Sequence, residues 1–254
     1  MIAADPSQII DLTEPWTPRA WPYPGHPSAE ETIVQTMPVD RINTWRVSTS
    51  MHTGTHVDAP LHCASAGADV ASLGFETLVR PGYVVDLRDV ASPWHVVTPE
   101  DIESRLPGPL EPRDAVILRY GWQRYAHGHP NEDADTYFNR HPGPGRALVD
   151  WVIERDLAWV GTDAASFEHP ANIDLRKSRP DLAAEMAAEI GDAETFDEAS
   201  WMLAHRRMLE RGQLHVDQAG GNLDRVGSGR VTLGIFPWRY VGGEASICRL
   251  VAFV

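Results

Sequence analysis

Residues 52–62 read HTGTHVDAPLH, which places three imidazoles and one carboxylate within eleven residues. Imidazole and carboxylate groups are the usual protein ligands of zinc and similar divalent cations, and such an ion needs several donors at about 2 Å. Gly54 can adopt backbone angles that other residues resist, and Pro60 restrains the exit from the segment. We therefore predict a loop or broken turn, rather than a helix, that brings these donors together around a cation.

The spacing within this segment separates two roles. His52, His56 and Asp58 are close enough in sequence to share one metal ion, whereas His62 lies beyond Pro60, where the chain changes direction. An imidazole that stands beside a metal without binding it is a good proton shuttle near neutral pH. The alternative is a polar surface loop that happens to contain histidines, but the whole chain has only 11 of them.

Sequence patterns on either side of this segment predict a mixture of strands and helices. Apolar and β-branched runs predict strands over 42–50, 82–90, 114–122 and 157–163, and closing strands in QLHVDQ, RVTLGIFPWRY and SICRLVAFV. Helix-start signals, apolar spacing and basic C-terminal turns predict helices over 98–106, 145–155 and 196–212. Because no linker divides the chain, we predict one α/β domain over residues 1–254.

Charge and composition exclude several classes of function. The 254 residues are 43% hydrophobic and carry a formal net charge of −14, which disfavours nucleic acid and anionic membranes as partners. The N-terminus lacks the pattern of a signal peptide, and no apolar stretch approaches the roughly 18 residues of a membrane span. Cys63 and Cys248 form no metal-binding pair, so both are interpreted as small apolar residues, with Cys63 an alternative nucleophile beside His62. We expect a cytoplasmic protein.

The pattern H-x-G-T-H-x-D-x-P-x-H resembles the signature of the metal-dependent cyclase/kynurenine formamidase family, which includes isatin hydrolases. Other segments are also similar to this family. They are DLTEPWTP (11–18), YPGHP (23–27), GTDAASFE (161–168) and HRRMLERG (205–212). The resemblance implies a swivelling β/β/α domain with a mixed sheet, assembled as a homodimer or homotetramer.

The resemblance also implies a set of site residues. His52, His56 and Asp58 would hold the first ion, and His205 and Asp217 would complete a second one that Asp58 bridges. The formamidases have Glu where this chain has Asp217, and the missing methylene withdraws the carboxylate by about 1.5 Å. Either the strand shifts, or the second site is weak, or Gln218 takes part. Two aromatic residues, Tyr23 and Trp21, would contact the substrate.

The remaining histidines have no evident partner in sequence and are interpreted as surface or structural residues. They include His26 and His215, and also His169, which is the most plausible exception because it lies in a predicted loop near the site. Asp163 is interpreted as a turn or cap residue at the end of a strand.

Taken with the resemblance, these residues predict a hydrolase of small amides or lactams that acts on carbon–nitrogen bonds other than peptide bonds. A divalent cation, Zn²⁺ or alternatively Mn²⁺, would supply hydroxide for attack on the carbonyl carbon, with His62 transferring protons. One alternative is a related ester or lactone hydrolase, or a cyclase of polyketide-like chains. Another, from a different class, is a catalytically idle metal-binding protein.

Overall fold

A mixed β-sheet of eight strands forms the centre of the protein in the computed structural model, which describes residues 5–173, 175–191 and 200–254. In chain order the strands are β1 Ile9–Asp11, β2 Glu30–Gln35, β3 Thr44–Ser48, β4 His56–Asp58, β5 Val79–Asp86, β6 Val96–Val97, β7 Ala115–Arg119, β8 Gly143–Pro144, β9 Trp159–Thr162, β10 Leu214–Asp217, β11 Val231–Pro237 and β12 Ala245–Phe253. The helices are α1 Met37–Asp40, α2 Phe75–Leu78, α3 Pro99–Glu103, α4 Ala134–Asn139, α5 Arg146–Glu154, α6 Leu175–Ser178, α7 Pro180–Ile190 and α8 Leu203–Leu209. None of the helices in these ranges combines the length and the apolar character that crossing a membrane requires.

The sheet closes on itself through the short strand β4. The strand order is β1-β12-β11-β5-β7-β9-β10-β4, and β4 pairs with β12 as well as with β10. The pairs β5–β7, β7–β9 and β9–β10 are parallel and the other pairs of this sheet are antiparallel. The prediction of a single compact α/β domain with a mixed sheet is therefore confirmed.

Alternation along the strands separates two cores. In β7, Ile117 belongs to the core inside the closed sheet, whereas Val116 and Leu118 belong to the core between the sheet and the helices. Successive side chains of a strand point to opposite faces, so one strand serves both layers. The inner face of β4 and β10 is occupied by Val57 and Val216, which are fully buried. Their neighbours in sequence therefore face outward, toward α8.

Most of the predicted elements are present, with shorter ends. Helix α3 begins as predicted, because the Thr98 hydroxyl accepts a hydrogen bond from the Asp101 amide and the Asp101 carboxylate accepts one from the Thr98 amide. The predicted helix over 196–212 is confirmed only as Leu203–Leu209, and residues 196–199 lie outside the described ranges. The prediction of a loop across 52–62 was wrong for His56–Asp58, which form β4 because strands on both sides supply hydrogen-bond partners.

A hairpin of β2 and β3 was only half predicted, since the pattern indicated the second strand alone. The two strands pair with each other in a separate two-stranded sheet. Nearly all their side chains are exposed, including apolar ones. Such a strand has no buried face to produce the alternation on which the strand prediction depends.

Candidate metal centre

Two paired strands bring four polar side chains onto one face. In the antiparallel pair of β4 and β10, His215 lies opposite Asp58 and Asp217 lies opposite His56. Residues directly opposite each other have Cβ atoms about 4.5–5.5 Å apart, so these side chains are close neighbours. All four are buried. The site is therefore built on the outer surface of the closed sheet and is covered by α8.

His52, His56 and Asp58 form one group of metal donors, with ligand atoms within 4.8 Å of one another. Asp58 Oδ1 lies 3.0 Å from His52 Nδ1 and 3.6 Å from His56 Nε2. This oxygen is buried and makes no hydrogen bond of good geometry. The Gly54 carbonyl accepts a hydrogen bond from His56 Nδ1 at 2.8 Å, which leaves Nε2 directed toward Asp58. An unsatisfied carboxylate oxygen between imidazole nitrogens is what a divalent cation requires.

The electrostatics of this group depend on two carboxylates around His52. Burial by itself lowers the pKa of His52, but the Asp58 and Glu244 carboxylates outweigh burial and raise it to about 10. Burial also lowers the pKa of His56, to about 4, so His56 is neutral and can bind a cation. Burial raises the pKa of Asp58, but the imidazoles of His52 and His205 hold it well below its usual range.

The ring of His62 lies beside that of His52, with centroids 4.5 Å apart. Glu244 Oε2 is 3.2 Å from His62 Nδ1 and 2.9 Å from His52 Nε2, so one carboxylate holds both rings. Glu244 immediately precedes β12, whose Ala245 pairs with Asp58. Sequence reasoning missed Glu244, because it is 182 positions beyond His62 and only the closed sheet brings it to the site.

His205 reaches the site from the first turn of α8. Its Nε2 lies 3.5 Å from Asp58 Oδ2, on the side of the carboxylate away from His52. The other nitrogen, Nδ1, is 3.1 Å from Glu168 Oε2. Glu168 is fully buried and its Oε2 also accepts the backbone N–H groups of Ala204 and His205, at 2.8 and 3.1 Å. Glu168 therefore anchors the start of α8 and orients the ring of His205, a role that the sequence pattern did not indicate.

A second group of donors consists of Asp58, His205 and His215, again with ligand atoms within 4.8 Å. His215 was interpreted as a surface or structural residue, and the surface alternative is wrong, because the side chain is fully buried. The alternation in LHVD could have indicated this, since His215 shares the face of Asp217. His205 and His215 have perpendicular rings whose centroids are 4.6 Å apart.

Asp217 lies in the wall of the same cavity but belongs to none of the three donor groups found among the described residues, the third of which is His52, His62 and Glu244. Its Oδ1 accepts the Phe167 amide at 2.7 Å. Burial and the Asp58 carboxylate raise the pKa of Asp217 to about 7. Gln218 is buried, has a left-handed backbone (φ 59°) and does not line the cavity. The predicted roles of His205 and Asp217 as ligands stay predictions.

The donors surround a cavity of about 150 Å³. Tyr23 lines this cavity as expected, whereas Trp21 does not and instead packs on His127 and Phe138. The role of Trp21 as a substrate contact stays a prediction. The cavity is lined by Tyr23, His26, His52, His56, Asp58, His62, Ser166, Ile173, Met202, His205 and Asp217.

The structure also tests the interpretations of three further residues near the site, His26, His169 and Cys63. His26 is exposed, as the surface interpretation has it, but it also adjoins the site, because its ring lies 5.3 Å from that of His52 and its Nδ1 pairs with Ser50 Oγ at 2.8 Å. His169 is structural, since its Nε2 pairs with the Trp94 carbonyl at 3.0 Å. Burial and the nearby carboxylates raise the pKa of the Cys63 thiol to about 11, which disfavours a thiolate nucleophile.

Comparison with known proteins agrees with this geometry. Residues 10–169 match the family described as "Putative cyclase". The chain belongs to this cyclase family. Over 247 residues it is 27% identical to the kynurenine formamidase of Erythrobacter litoralis (strain HTCC2594), with 96% of this chain and 93% of that protein covered. The kynurenine formamidase of Salinibacter ruber (strain DSM 13855 / M31) is also 27% identical over 247 residues, with 96% of each chain covered.

Solved structures of isatin hydrolases share the fold. An isatin hydrolase bound to the product analogue thioisatinate superimposes with a TM-score of 0.76 at 19% identity, over 97% of this chain and 92% of that one. Isatin hydrolase A from Labrenzia aggregata gives 0.74 at 22% identity, over 97% and 93%. The predictions of the family and the fold class are confirmed, and the relatives named as kynurenine formamidases and isatin hydrolases agree with the predicted class of enzyme, a hydrolase of carbon–nitrogen bonds other than peptide bonds.

Proposed function

We propose that this cyclase-family protein is a metal-dependent hydrolase that cleaves the C–N bond of a small aryl formamide or a fused lactam. The observation that carries the proposal is the unsatisfied Asp58 oxygen between His52 and His56, with His62 beside them on one cavity. The likeness to kynurenine formamidases and isatin hydrolases supports the bond type.

The size of the cavity favours a substrate with one aromatic ring. Its volume is about 150 Å³, and an engineered protein cavity of roughly 150 Å³ is large enough to bind benzene. Tyr23 and Ile173 offer apolar surface to such a ring, while the imidazoles face the polar group. A folded polyketide-like chain is several times larger, so the cyclase alternative is less well supported.

The residues of the chain have separate tasks in this proposal. When bound, a divalent ion lowers the pKa of a water toward neutrality and polarises the substrate carbonyl. His52, His56 and Asp58 would hold that ion, and the Asp58 carboxylate would offset one of its two positive charges. Glu244 accepts a hydrogen bond from His62 Nδ1, so His62 Nε2 is the nitrogen that exchanges protons. His62 takes a proton from the attacking water and gives it to the leaving nitrogen as the C–N bond breaks. The products are a carboxylate and an amine.

We propose Zn²⁺ as the metal of the first group, with Mn²⁺ as the alternative. Two imidazoles and one carboxylate are a common catalytic zinc set, which leaves a position for water. Zinc also binds such nitrogen-rich sites more tightly than manganese does. The cytoplasmic location predicted from sequence stays a prediction, as does the extent of one domain over residues 1–254.

Two variants test the proposed function. His62→Ala should keep the bound metal and lose turnover by about 10²–10⁴-fold, the usual contribution of a proton-transfer group. His56→Ala should lose both metal and turnover. Metal content is measured by mass spectrometry, and hydrolysis is assayed with aryl formamides, isatin and lactones after reconstitution with zinc or manganese. Stoichiometric metal without turnover of any of these substrates would support the idle metal-binding alternative, and an unchanged kcat in His62→Ala would refute the role of His62.

We propose that the β2–β3 hairpin and helix α1, which connects its strands, contact a second copy of this chain. This surface would form the interface of the homodimer or homotetramer that the resemblance implies. An exposed apolar patch of this kind is typical of a protein interface. The patch consists of Ile33, Val34, Met37, Val39, Ile42, Trp45 and Val47. Trp45→Lys should shift the protein toward the monomer in sedimentation analysis. Trp201→Lys is the matched control, because Trp201 is 48% exposed and Trp45 is 49% exposed.

A further inference from the structure

His215 is an exception among the buried histidines of the described chain. It is fully buried, and neither of its ring nitrogens has a hydrogen-bond partner. Two other fully buried histidines each use a ring nitrogen, since His141 Nδ1 pairs with the Pro142 carbonyl and His169 Nε2 with the Trp94 carbonyl. A buried polar group without a partner is costly, and such a group calls for a specific explanation.

The surroundings of His215 supply that explanation. It lies opposite Asp58 in the β4–β10 pair, and its ring is packed between His205 and Phe167, with centroid distances of 4.6 and 5.2 Å. One ligand atom from each of Asp58, His205 and His215 falls within 4.8 Å of the others. The ring is therefore held by packing at a position where a cation could satisfy one of its nitrogens.

Asp58 divides the donors into two sets. Its Oδ1 is near His52 and His56, whereas its Oδ2 is 3.5 Å from His205 Nε2. In two-metal hydrolytic sites the ions are about 3.5–4 Å apart, a separation that one bridging carboxylate can span. Glu168 already binds His205 Nδ1, which leaves Nε2 for the cation.

We propose that His215 is a ligand of the second divalent cation that the family resemblance implies, and that it binds this ion together with His205 and Asp58. The proposal rests on the proposed metal-dependent function only through Asp58, which both positions share. His215 then contributes the donor that the shorter Asp217 side chain, engaged with the Phe167 amide, does not bring into the group. His215, two residues before Asp217 on the same face of β10, thus takes the place of the Glu side chain that the formamidases have at the position of Asp217.

The test is a zinc titration of the chelator-treated full chain, in which calorimetry measures the affinities and mass spectrometry measures the number of bound ions. The wild type should bind two equivalents. His215→Phe should bind one, with the affinity of the first equivalent unchanged and that of the second reduced by more than the roughly 10–100-fold that outer-shell partners cost. His141→Phe is the matched control, because it removes another fully buried ring with an unpartnered nitrogen, one that belongs to none of the donor groups, and it should bind two.

A second measurement uses the wild type alone and therefore tests the proposal even if His215→Phe does not fold. In the wild type labelled with ¹⁵N-histidine, the first equivalent should move the ring nitrogens of two histidines to the shifts of metal-bound imidazole, and the second equivalent should move two more. A total of three shifted histidines in the wild type would overturn the proposal. Binding of two zinc equivalents by His215→Phe with unchanged affinities would overturn it as well. A single equivalent in the wild type would overturn it while the proposed function stands, whereas no bound zinc would remove both.

Discussion

Glu168→Gln tests how a buried carboxylate controls a metal-binding histidine. Glu168 Oε2 receives three N–H groups, from the Ala204 amide, the His205 amide and His205 Nδ1, and its Oε1 receives Asn172 Nδ2 at 2.7 Å. A glutamine can keep the same number of hydrogen bonds. Its oxygen takes the three donors, and its amide can donate to Asn172 Oδ1, which has no partner, once the Asn172 amide rotates. The substitution therefore removes one charge and little else.

The expected effect follows from that charge. A carboxylate behind a metal-bound imidazole makes the imidazole a better donor, and losing such an outer partner typically costs about 10–100-fold in metal affinity. At about 1.4 kcal/mol for each tenfold, this is about 1.4–2.8 kcal/mol of binding. The free energy of unfolding without metal should change far less. Glu168→Ala differs, because two buried backbone N–H groups lose their acceptor, at about 1–3 kcal/mol each.

Zinc affinity is measured by competition with a coloured chelator, and stability by urea unfolding of the metal-free protein. Glu168→Gln should bind zinc more weakly at near-normal stability. Glu168→Ala should be destabilised by about 2–6 kcal/mol, a large part of the 5–15 kcal/mol that holds a typical domain together. If Glu168→Gln binds both zinc equivalents as tightly as the wild type, the charge of Glu168 does not act on His205.

Three further predictions concern other contacts. Glu244→Gln should weaken metal binding by about 10–100-fold, because Glu244 contacts the proposed ligand His52. In the metal-saturated protein its kcat should fall by less than that of His62→Ala, because His62 itself remains; equal losses of kcat in steady-state assays would contradict this. Asp163→Ala should be destabilised by about 3–9 kcal/mol, since the Asp163 carboxylate accepts the amides of residues 120–122, and Asp163→Asn, which keeps one acceptor oxygen, should lose less in thermal melts. Burial raises the pKa of Asp163 to about 7 although these amides oppose the shift, against about 3.9 in an unfolded chain. The folded state then holds the extra proton, so the wild type should lose stability relative to Asp163→Asn as the pH rises from about 4 to about 7, and a flat difference across that range would refute the shift.

Local patterns were enough to predict most of the central fold. The strands around 82–90, 114–122 and 157–163 are buried on both faces, which produces the continuous apolar runs that indicated them. The capping pair of Thr98 and Asp101 lies within one turn, so its signal is also local. The exposed strand β2 carries no such signal and was missed.

The residues of the site likewise fall into two sets, those that the local sequence indicates and those that only the fold brings together. His52, His56, Asp58 and His62 are found together because they are neighbours in the chain, and their chemistry can be inferred from their spacing. His215 and Glu244 contact these residues across more than 100 positions of sequence. No local pattern links such partners, because the pairing of β4 with β10 on one side and with β12 on the other is what brings them together.

The sequence by itself therefore determined the kind of chemistry, since nitrogen and oxygen donors clustered on one short segment are the donor set that divalent cations prefer. Only the tertiary structure decided which distant side chains surround the donors. Whether His215 is a surface residue or a buried neighbour of Asp58 depends on strand register, and a shift of one residue would turn it to the opposite face.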